Sequence, residues 1–217
     1  MMTIDNAYQM MEDGVIMAGM RGAFGPDNAL RVTALMMEEG INAFEFTMNS
    51  ERPIEAMQAA KREFGDAACV GMGTVLTPTD ARRVLDAGAD FVVSPAFQPD
   101  VVRVVMDAGV LIAPGVMTPT EAITAWDMGV RLLKIFPIGN LGLDYFKSIR
   151  GPLSHLKWMC NGGMTGDNAP QFIAAGATCV GMAGWLTGDG SMPLDEMRKR
   201  AKLLRAGIDA VRPRQLV

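Results

Sequence analysis

The sequence predicts a (β/α)8 barrel with an extra N-terminal helix, and three observations carry this prediction. Glycines recur at spacings of 20 to 26 residues. Most of them follow a helix-like segment, where glycine commonly caps the helix because it tolerates a left-handed backbone. A short apolar run then follows, as expected of a strand buried on both faces. Eight such units leave about 27 residues each, which suits a compact barrel. The glycines are Gly14, Gly40, Gly65, Gly88, Gly109, Gly129, Gly151 and Gly176.

Each element of this barrel can be placed in order along the chain. A helix over residues 3–13 is predicted to close the bottom of the barrel. Residue types that favour helix starts precede later helices. They are Asp27 beside Pro26, Thr77-Pro78, Thr118-Pro119 and Asp167-Asn168. The predicted strands lie in VIMAGMRG, NAFEFTMNS, CVGMGTV, FVVSP, LIAPG, RLLKIFP, KWMCNGG and CVGMAGW.

This alternation of helices and buried strands implies a parallel sheet with right-handed crossovers. A doubly wound open sheet is the alternative, and such sheets usually have fewer strands. No linker or low-complexity segment interrupts the sequence. Residues 1–217 are therefore predicted to form a single domain.

The composition is that of a folded protein, and it excludes several classes of function. Hydrophobic residues make up 49% of the chain and charged residues 20%, which excludes a disordered chain. The net charge is −4 and no basic stripe is present, which argues against nucleic acid as the main partner. No run of about 18 apolar residues occurs, so no membrane span is expected.

Cysteine usage and the N-terminus both favour a cytoplasmic protein. Cys69, Cys160 and Cys179 lack metal-type spacing and lie in apolar runs, which predicts reduced core residues. The N-terminus MMTIDNAYQMMEDG carries acids and no basic segment, so no signal peptide is expected. The one histidine, His155, lies in a turn and is interpreted as a surface or strand-start residue. Ser-His-Asp catalysis and multi-histidine metal sites are therefore disfavoured.

Lys134 is the most informative residue for chemistry. Active sites of such barrels lie at the carboxyl ends of the strands. Of the six lysines, only Lys134 lies inside an apolar strand near that end. A buried ammonium is costly, and a neutral amine can attack a ketone to form a Schiff base. The alternative is a buried lysine–glutamate pair without chemistry.

Glu45 is a second charged residue in an apolar strand, between Phe44 and Phe46. If its side chain points into the barrel, it shares the interior with Lys134. General acid–base catalysis is the favoured interpretation. The alternative is that Glu45 is only a counter-ion for Lys134 or for Arg21, which ends the first predicted strand.

Glycines after the last two predicted strands suggest an anion site. Barrels of this class often bind phosphate there through loop amides. The segment Gly162-Gly163-Met164-Thr165 lets the backbone approach an anion closely, and Ala183-Gly184 follows the last strand. The alternative is that these glycines only serve tight turns.

Several short motifs, in order, resemble the 2-keto-3-deoxy-6-phosphogluconate and -galactonate aldolases. They are AGMRG, EFTMNS, GMGTVL, VSP, APGVMTPTEA, LLKIFP and NGG, within about Gly14 to Leu186. The resemblance implies a class I aldolase that forms a homotrimer and needs no metal or organic cofactor. It also implies that Lys134 is the Schiff-base lysine and Glu45 the acid–base residue. Thr74 would contact pyruvate, and Arg21 would bind the carboxylate.

Two positions separate this chain from parts of that family. Asn49 stands where the gluconate branch has an arginine, and FTMNS is more similar to the L-N-S string of the galactonate branch. Gly184 stands where the family tends to have a serine, which removes one hydroxyl from the anion site. A sulfonate or carboxylate tail on the substrate is then the alternative to a phosphate. Pro95 is expected to shape the mouth of the pocket and Phe136 to wall it; packing roles are the alternative.

The predicted reaction is the reversible cleavage of a 2-keto-3-deoxy-6-phospho sugar acid to pyruvate and glyceraldehyde 3-phosphate. One alternative is an aldolase acting on a related 4-hydroxy-2-oxo acid with a different anionic tail. Others are a phosphosugar isomerase or epimerase, and a non-catalytic sugar-acid sensor, on the same barrel. Neither of these last two explains a lone lysine inside a strand as directly.

Overall fold

Strands and helices alternate along residues 2–212, the part of the chain that the computed structural model describes. The strands are β1 (Ile16–Met20), β2 (Ala43–Thr47), β3 (Cys69–Gly73), β4 (Phe91–Val93), β5 (Leu111–Ala113), β6 (Gly115–Val116), β7 (Leu133–Ile135), β8 (Trp158–Asn161) and β9 (Cys179–Met182). The helices are α1 (Ile4–Gly14), α2 (Pro26–Glu38), α3 (Pro53–Phe64), α4 (Pro78–Asp86), α5 (Pro99–Asp107), α6 (Pro119–Asp127), α7 (Ile138–Leu141), α8 (Leu143–Arg150), α9 (Ala169–Ala174) and α10 (Leu194–Val211), with a 3₁₀ turn at Gly65–Ala67.

All strand pairs are parallel, in the order β5-β4-β3-β2-β1-β9-β8-β7-β6. The two outer members of this order, β5 and β6, are successive pieces of one stretch of chain. β5 pairs with β4 and β6 pairs with β7, so this stretch closes the ring. The predicted (β/α)8 barrel is confirmed, except that the fifth strand is split in two.

Pro114 separates the two pieces of the fifth strand. Proline has no N–H to donate to a ladder of hydrogen bonds, so regular pairing stops there. Its carbonyl oxygen still accepts a hydrogen bond from the Lys134 N–H at 3.0 Å. The backbone of β7 is thus hydrogen-bonded at Lys134 to the break between β5 and β6.

The helix starts follow the sequence pattern. Proline occupies an early position in the first turn of α2 through α6, where its missing N–H has no intrahelical partner to lose. Thr77 and Thr118 cap α4 and α6 with their hydroxyl oxygens. Glu121 completes a capping box with Thr118 by accepting its backbone N–H. These local signals fix where each helix leaves the barrel wall.

Helix α1 closes the amino-terminal end of the barrel, as predicted. It begins after Thr3, whose hydroxyl accepts the N–H of Asn6. Its buried face, formed by Ala7, Tyr8 and Met11, packs on the lower layer of the barrel interior. That layer consists of Met17, Ala43, Cys69, Phe91, Val93, Leu111, Ala113, Leu132, Met159 and Cys179. One end of the barrel is therefore filled with apolar side chains.

The three cysteines are buried and unpaired, as predicted. Burial raises the pKa of the Cys69 and Cys160 thiols and raises that of Cys179 to about 12. All three are therefore protonated and inert at neutral pH. None of the helices within residues 2–212 is long and apolar enough to cross a membrane.

An ion pair with a buried carboxylate ties α3 to the strands beside it. Asp90 is 2% exposed and forms an ion pair with Lys61. The other carboxylate oxygen accepts the N–H of Val70 at 3.1 Å. Removing the Asp90 carboxylate is costly because the buried Val70 N–H then has no acceptor and the half-buried Lys61 has no counter-charge.

We predict that Asp90→Ala lowers the free energy of unfolding by about 3 kcal/mol. Urea denaturation followed by circular dichroism measures this change. Asp100→Ala is the control, because the Asp100–Arg103 pair is exposed. Loss of an exposed pair costs less than about 1 kcal/mol. Equal effects of the two substitutions would contradict the importance of the buried pair.

Candidate active site

A cavity of about 370 Å³ opens at the carboxyl ends of the strands. It brings together ten of the eleven site residues predicted from the sequence. These are Arg21, Glu45, Thr74, Pro95, Lys134, Phe136, Gly162, Gly163, Ala183 and Gly184. The eleventh, Asn49, is exposed on the turn after β2 and does not line the cavity.

Lys134 reaches the cavity from the middle of β7. It is 7% exposed, and its Nζ lies 4.8 Å from the centre of the Phe136 ring. Among the described residues, no carboxylate lies within ion-pair distance of this Nζ. Lys134 and Glu45 therefore do not form the tight ion pair that was the alternative to a chemical role.

Glu45 occupies the interior face of β2 and is 5% exposed. Its side chain lies over Gly73 on the neighbouring strand, where any Cβ would overlap the carboxylate. The strand register places Thr47 opposite Gly73, so the carboxylate leans towards the mouth of the barrel. A glycine at position 73 is thus required for Glu45 to face the cavity.

Thr74 and Arg21 are placed at the rim by the strand ends. Thr74 follows β3 with a φ of 59°. A β-branched residue rarely adopts this left-handed conformation, and such strain is concentrated at functional sites. Arg21 follows β1 and is exposed at the edge of the cavity. Its guanidinium has no ion-pair partner within residues 2–212, so it is available to an anion.

The loop after β8 is held from outside the cavity. Gly162 and Gly163 have φ values of 83° and 71°, which favour glycine. The Gly162 carbonyl accepts the N–H of Gly139 at 2.7 Å. The Asn168 amide donates to the Gly163 carbonyl at 2.9 Å and accepts the N–H of Thr165 at 2.8 Å. These bonds fix the carbonyl groups of the loop on partners within the protein.

The turn after β9 leaves main-chain donors free. The N–H groups of Leu186 and Thr187 both donate to the Ala183 carbonyl. Those of Gly184 and Trp185 donate to no acceptor within residues 2–212, and both residues line the cavity. Around Gly184, a Cβ would find no heavy atom within 4 Å. This end of the cavity thus offers backbone donors and open space.

Asn161 is a site residue that the sequence analysis missed. It ends β8, lines the cavity and is 5% exposed. Its Oδ1 is buried without a hydrogen-bond partner among the described residues. Gly181 on β9 makes room for the amide, because a Cβ there would overlap it. The signal was present: Asn161 is a polar residue in an apolar strand, as Lys134 and Glu45 are.

Comparison with known proteins identifies the family of this chain. Residues 9–202 match the family model described as "KDPG and KHG aldolase". A 2-dehydro-3-deoxy-6-phosphogalactonate aldolase of Escherichia coli K12 is 32% identical over 187 residues, which cover 86% of this chain and 91% of that protein. A KHG/KDPG aldolase of the same strain is 26% identical over 188 residues, which cover 86% and 87%.

Solved structures give the same result. One described as "Native KDPGal structure" has a TM-score of 0.85 and 29% identity, covering 90% of this chain and 95% of that one. The family match spans most of the barrel, including both strands that carry the buried lysine and glutamate. The resemblance seen in the sequence is confirmed: this chain belongs to the KDPG and KHG aldolase family and is an aldolase, a lyase of carbon–carbon bonds.

Proposed function

We propose that this aldolase reversibly cleaves a 2-keto-3-deoxy-6-phospho sugar acid to pyruvate and glyceraldehyde 3-phosphate through an imine on Lys134. The observation that carries the proposal is the position of Lys134. Its Nζ lies in a cavity at the carboxyl end of a barrel strand, against an aromatic ring and without a carboxylate partner in the described part of the chain. The names of the relatives support the substrate class.

The reaction begins at the C2 ketone of the substrate. The Lys134 amine attacks C2, and the oxygen leaves as water after proton transfers, which gives an iminium ion. Glu45 relays these protons from its position inside the barrel. The iminium then serves as the electron sink for the next step.

Cleavage follows when the C4 hydroxyl loses its proton to Glu45 through a water molecule. The electrons of the C3–C4 bond move to C3 and on to the iminium nitrogen, and the aldehyde leaves. Protonation of the enamine at C3 and hydrolysis of the imine release pyruvate and restore Lys134. The reaction therefore needs no external oxidant or reductant.

Residues at the rim hold the two charged ends of the substrate. Arg21 binds the carboxylate, because a planar guanidinium fork suits a planar carboxylate. Thr74 contacts the pyruvate portion, and Pro95 and Phe136 wall it. The backbone at Gly162, Gly163, Ala183 and Gly184 binds the anionic tail. Asn49 remains a predicted substrate contact that would require its turn to approach the cavity.

Asn161 presents its amide group to a substrate hydroxyl from the cavity wall. Its Oδ1 is shielded within that wall and has no hydrogen-bond partner among the described residues. A hydroxyl group of a polyhydroxy acid hydrogen-bonds with the part of this amide that faces the cavity. A purely apolar tail would leave the amide without a ligand partner, so the amide favours a hydroxylated substrate.

We also propose a homotrimer formed by single-domain chains of residues 1–217, acting in the cytoplasm. One solved structure that supports assembly is a protein cage "designed by fusing symmetric oligomeric domains". It has a TM-score of 0.84 and 29% identity, covering 90% of this chain and 72% of that one. Light scattering on the purified protein measures the number of subunits.

We predict that pyruvate with borohydride labels wild-type enzyme at Lys134 and leaves Lys134→Ala unlabelled. The adduct is located by peptide mass mapping. Lys157→Ala is the matched control, because Lys157 lies before β8 at the closed end of the barrel and pairs there with Glu12. An adduct on any other lysine would overturn the mechanism.

Asn161→Leu is expected to separate stability from activity. Leucine has a similar branched shape and removes an unsatisfied buried acceptor, so the free energy of unfolding should stay constant or rise by about 1 kcal/mol. The value of kcat/KM for cleavage should fall, since the substrate hydroxyl loses the amide as a hydrogen-bond partner. Thermal denaturation and steady-state kinetics measure the two effects. Unchanged kinetics would exclude Asn161 from substrate binding.

The anionic tail is tested by comparing the 6-phosphorylated sugar acid with its dephosphorylated form. The phosphorylated acid should have the higher kcat/KM. Gly184→Ser should lower its KM about tenfold, by adding one hydrogen bond to a charged acceptor in open space. Gly163→Val should reduce the preference, because position 163 has a positive φ. Equal reaction of both acids in all variants would rule out a phosphate site here.

A further inference from the structure

Trp185 contacts both backbone segments that form the predicted anion-binding end of the cavity. It belongs to the turn after β9, where its N–H is one of the two free donors. Its indole ring also lies on the backbone of Gly166, in the loop that follows β8. A Cβ at Gly166 would come within 2.6 Å of the ring. A shift of Trp185 would therefore move both segments together.

Arg200 of α10 holds Trp185 from outside the cavity. Its Nη1 donates to the Trp185 carbonyl at 2.6 Å. Its guanidinium carbon also lies 5.6 Å from the centre of the indole ring. One side chain thus fixes both the peptide and the ring of Trp185, and stacking together with hydrogen bonding is a combination that the planar arginine side chain allows.

The charge of Arg200 is already compensated. Its Nε forms an ion pair with Glu196 at 2.8 Å, one turn earlier on the same helix. Arg200 does not line the cavity. An effect of this residue on an anionic ligand therefore has to pass through the position of Trp185, because its own field is largely cancelled by the glutamate.

We propose that Arg200 is a positioning residue for the anion-binding end of the cavity, acting through the carbonyl and the indole ring of Trp185. This inference rests on the proposed function, in which that end binds the tail of the substrate. Arg200 does not touch the reacting atoms. Its loss should weaken binding of the anionic half and leave imine formation on Lys134 intact.

The test uses glycerol 3-phosphate as a non-reactive probe of the anion site, with its Kd measured by calorimetry. Arg200→Met should raise this Kd about tenfold, since a charged hydrogen bond that aligns the turn is lost. Arg200→Lys keeps one donor but no planar group, and should give an intermediate Kd. Labelling by pyruvate and borohydride should be unchanged in both variants.

Arg198→Met is the matched control. Arg198 lies on the same helix and forms two ion pairs, with Glu38 and Glu39, away from the cavity. Its substitution should leave the Kd of the probe unchanged. If Arg200→Met does not fold, as judged by its Tm, Arg200→Gln provides the same comparison.

The outcomes separate this inference from the proposed function. A Kd that is unaffected by loss of Arg200, or raised equally by Arg198→Met, overturns the positioning role. So does a wild-type protein that does not bind the probe. A wild-type protein that binds the probe in an Arg200-dependent way, yet gives no adduct at Lys134, overturns the proposed mechanism and leaves the positioning role standing.

Discussion

Limited space inside a closed ring of parallel strands is the constraint on which the site depends. Interior side chains from every strand compete for the same volume, and the lower layer is filled with apolar groups. Near the carboxyl ends of the strands, a large polar side chain fits inside the ring only where the neighbouring strand contributes no side chain. Gly73 leaves room for Glu45, and Gly181 leaves room for Asn161. The glycines inside the barrel are thus as necessary to the site as the polar residues beside them.

Much of this arrangement could be predicted because, in a barrel, the position of a residue along its strand determines at which end of the barrel it lies. A charged residue near the carboxyl end of an apolar strand is expected to face the open end of the barrel. Lys134 and Glu45 both line the cavity there. The glycines after the last two strands also line this cavity, because the carboxyl ends of all the strands lie at the same end of the barrel. Asn161 meets the same criterion, because it is a polar residue at the end of an apolar strand.

The remaining features depend on contacts that no local pattern encodes. The similarity of a short string predicts Asn49 as a substrate contact, but its turn directs it to solvent. The split of the fifth strand follows from Pro114 only once closure of the ring is known. The contact between Arg200 and Trp185 joins residues on either side of a loop. Such a contact depends on how α10 packs, which strand and helix periodicity do not specify.

The apolar plug formed by α1 closes one end of the barrel to substrates and products. With Ala7, Tyr8 and Met11 filling one end of the barrel, the mouth is both entrance and exit. In the proposed mechanism the three-carbon keto acid remains covalently attached to Lys134 in the cavity, while the aldehyde half is free. The aldehyde must therefore depart first and the keto acid second. In the synthetic direction the order reverses, so the keto acid binds before its partner and the two substrates enter in an obligatory sequence.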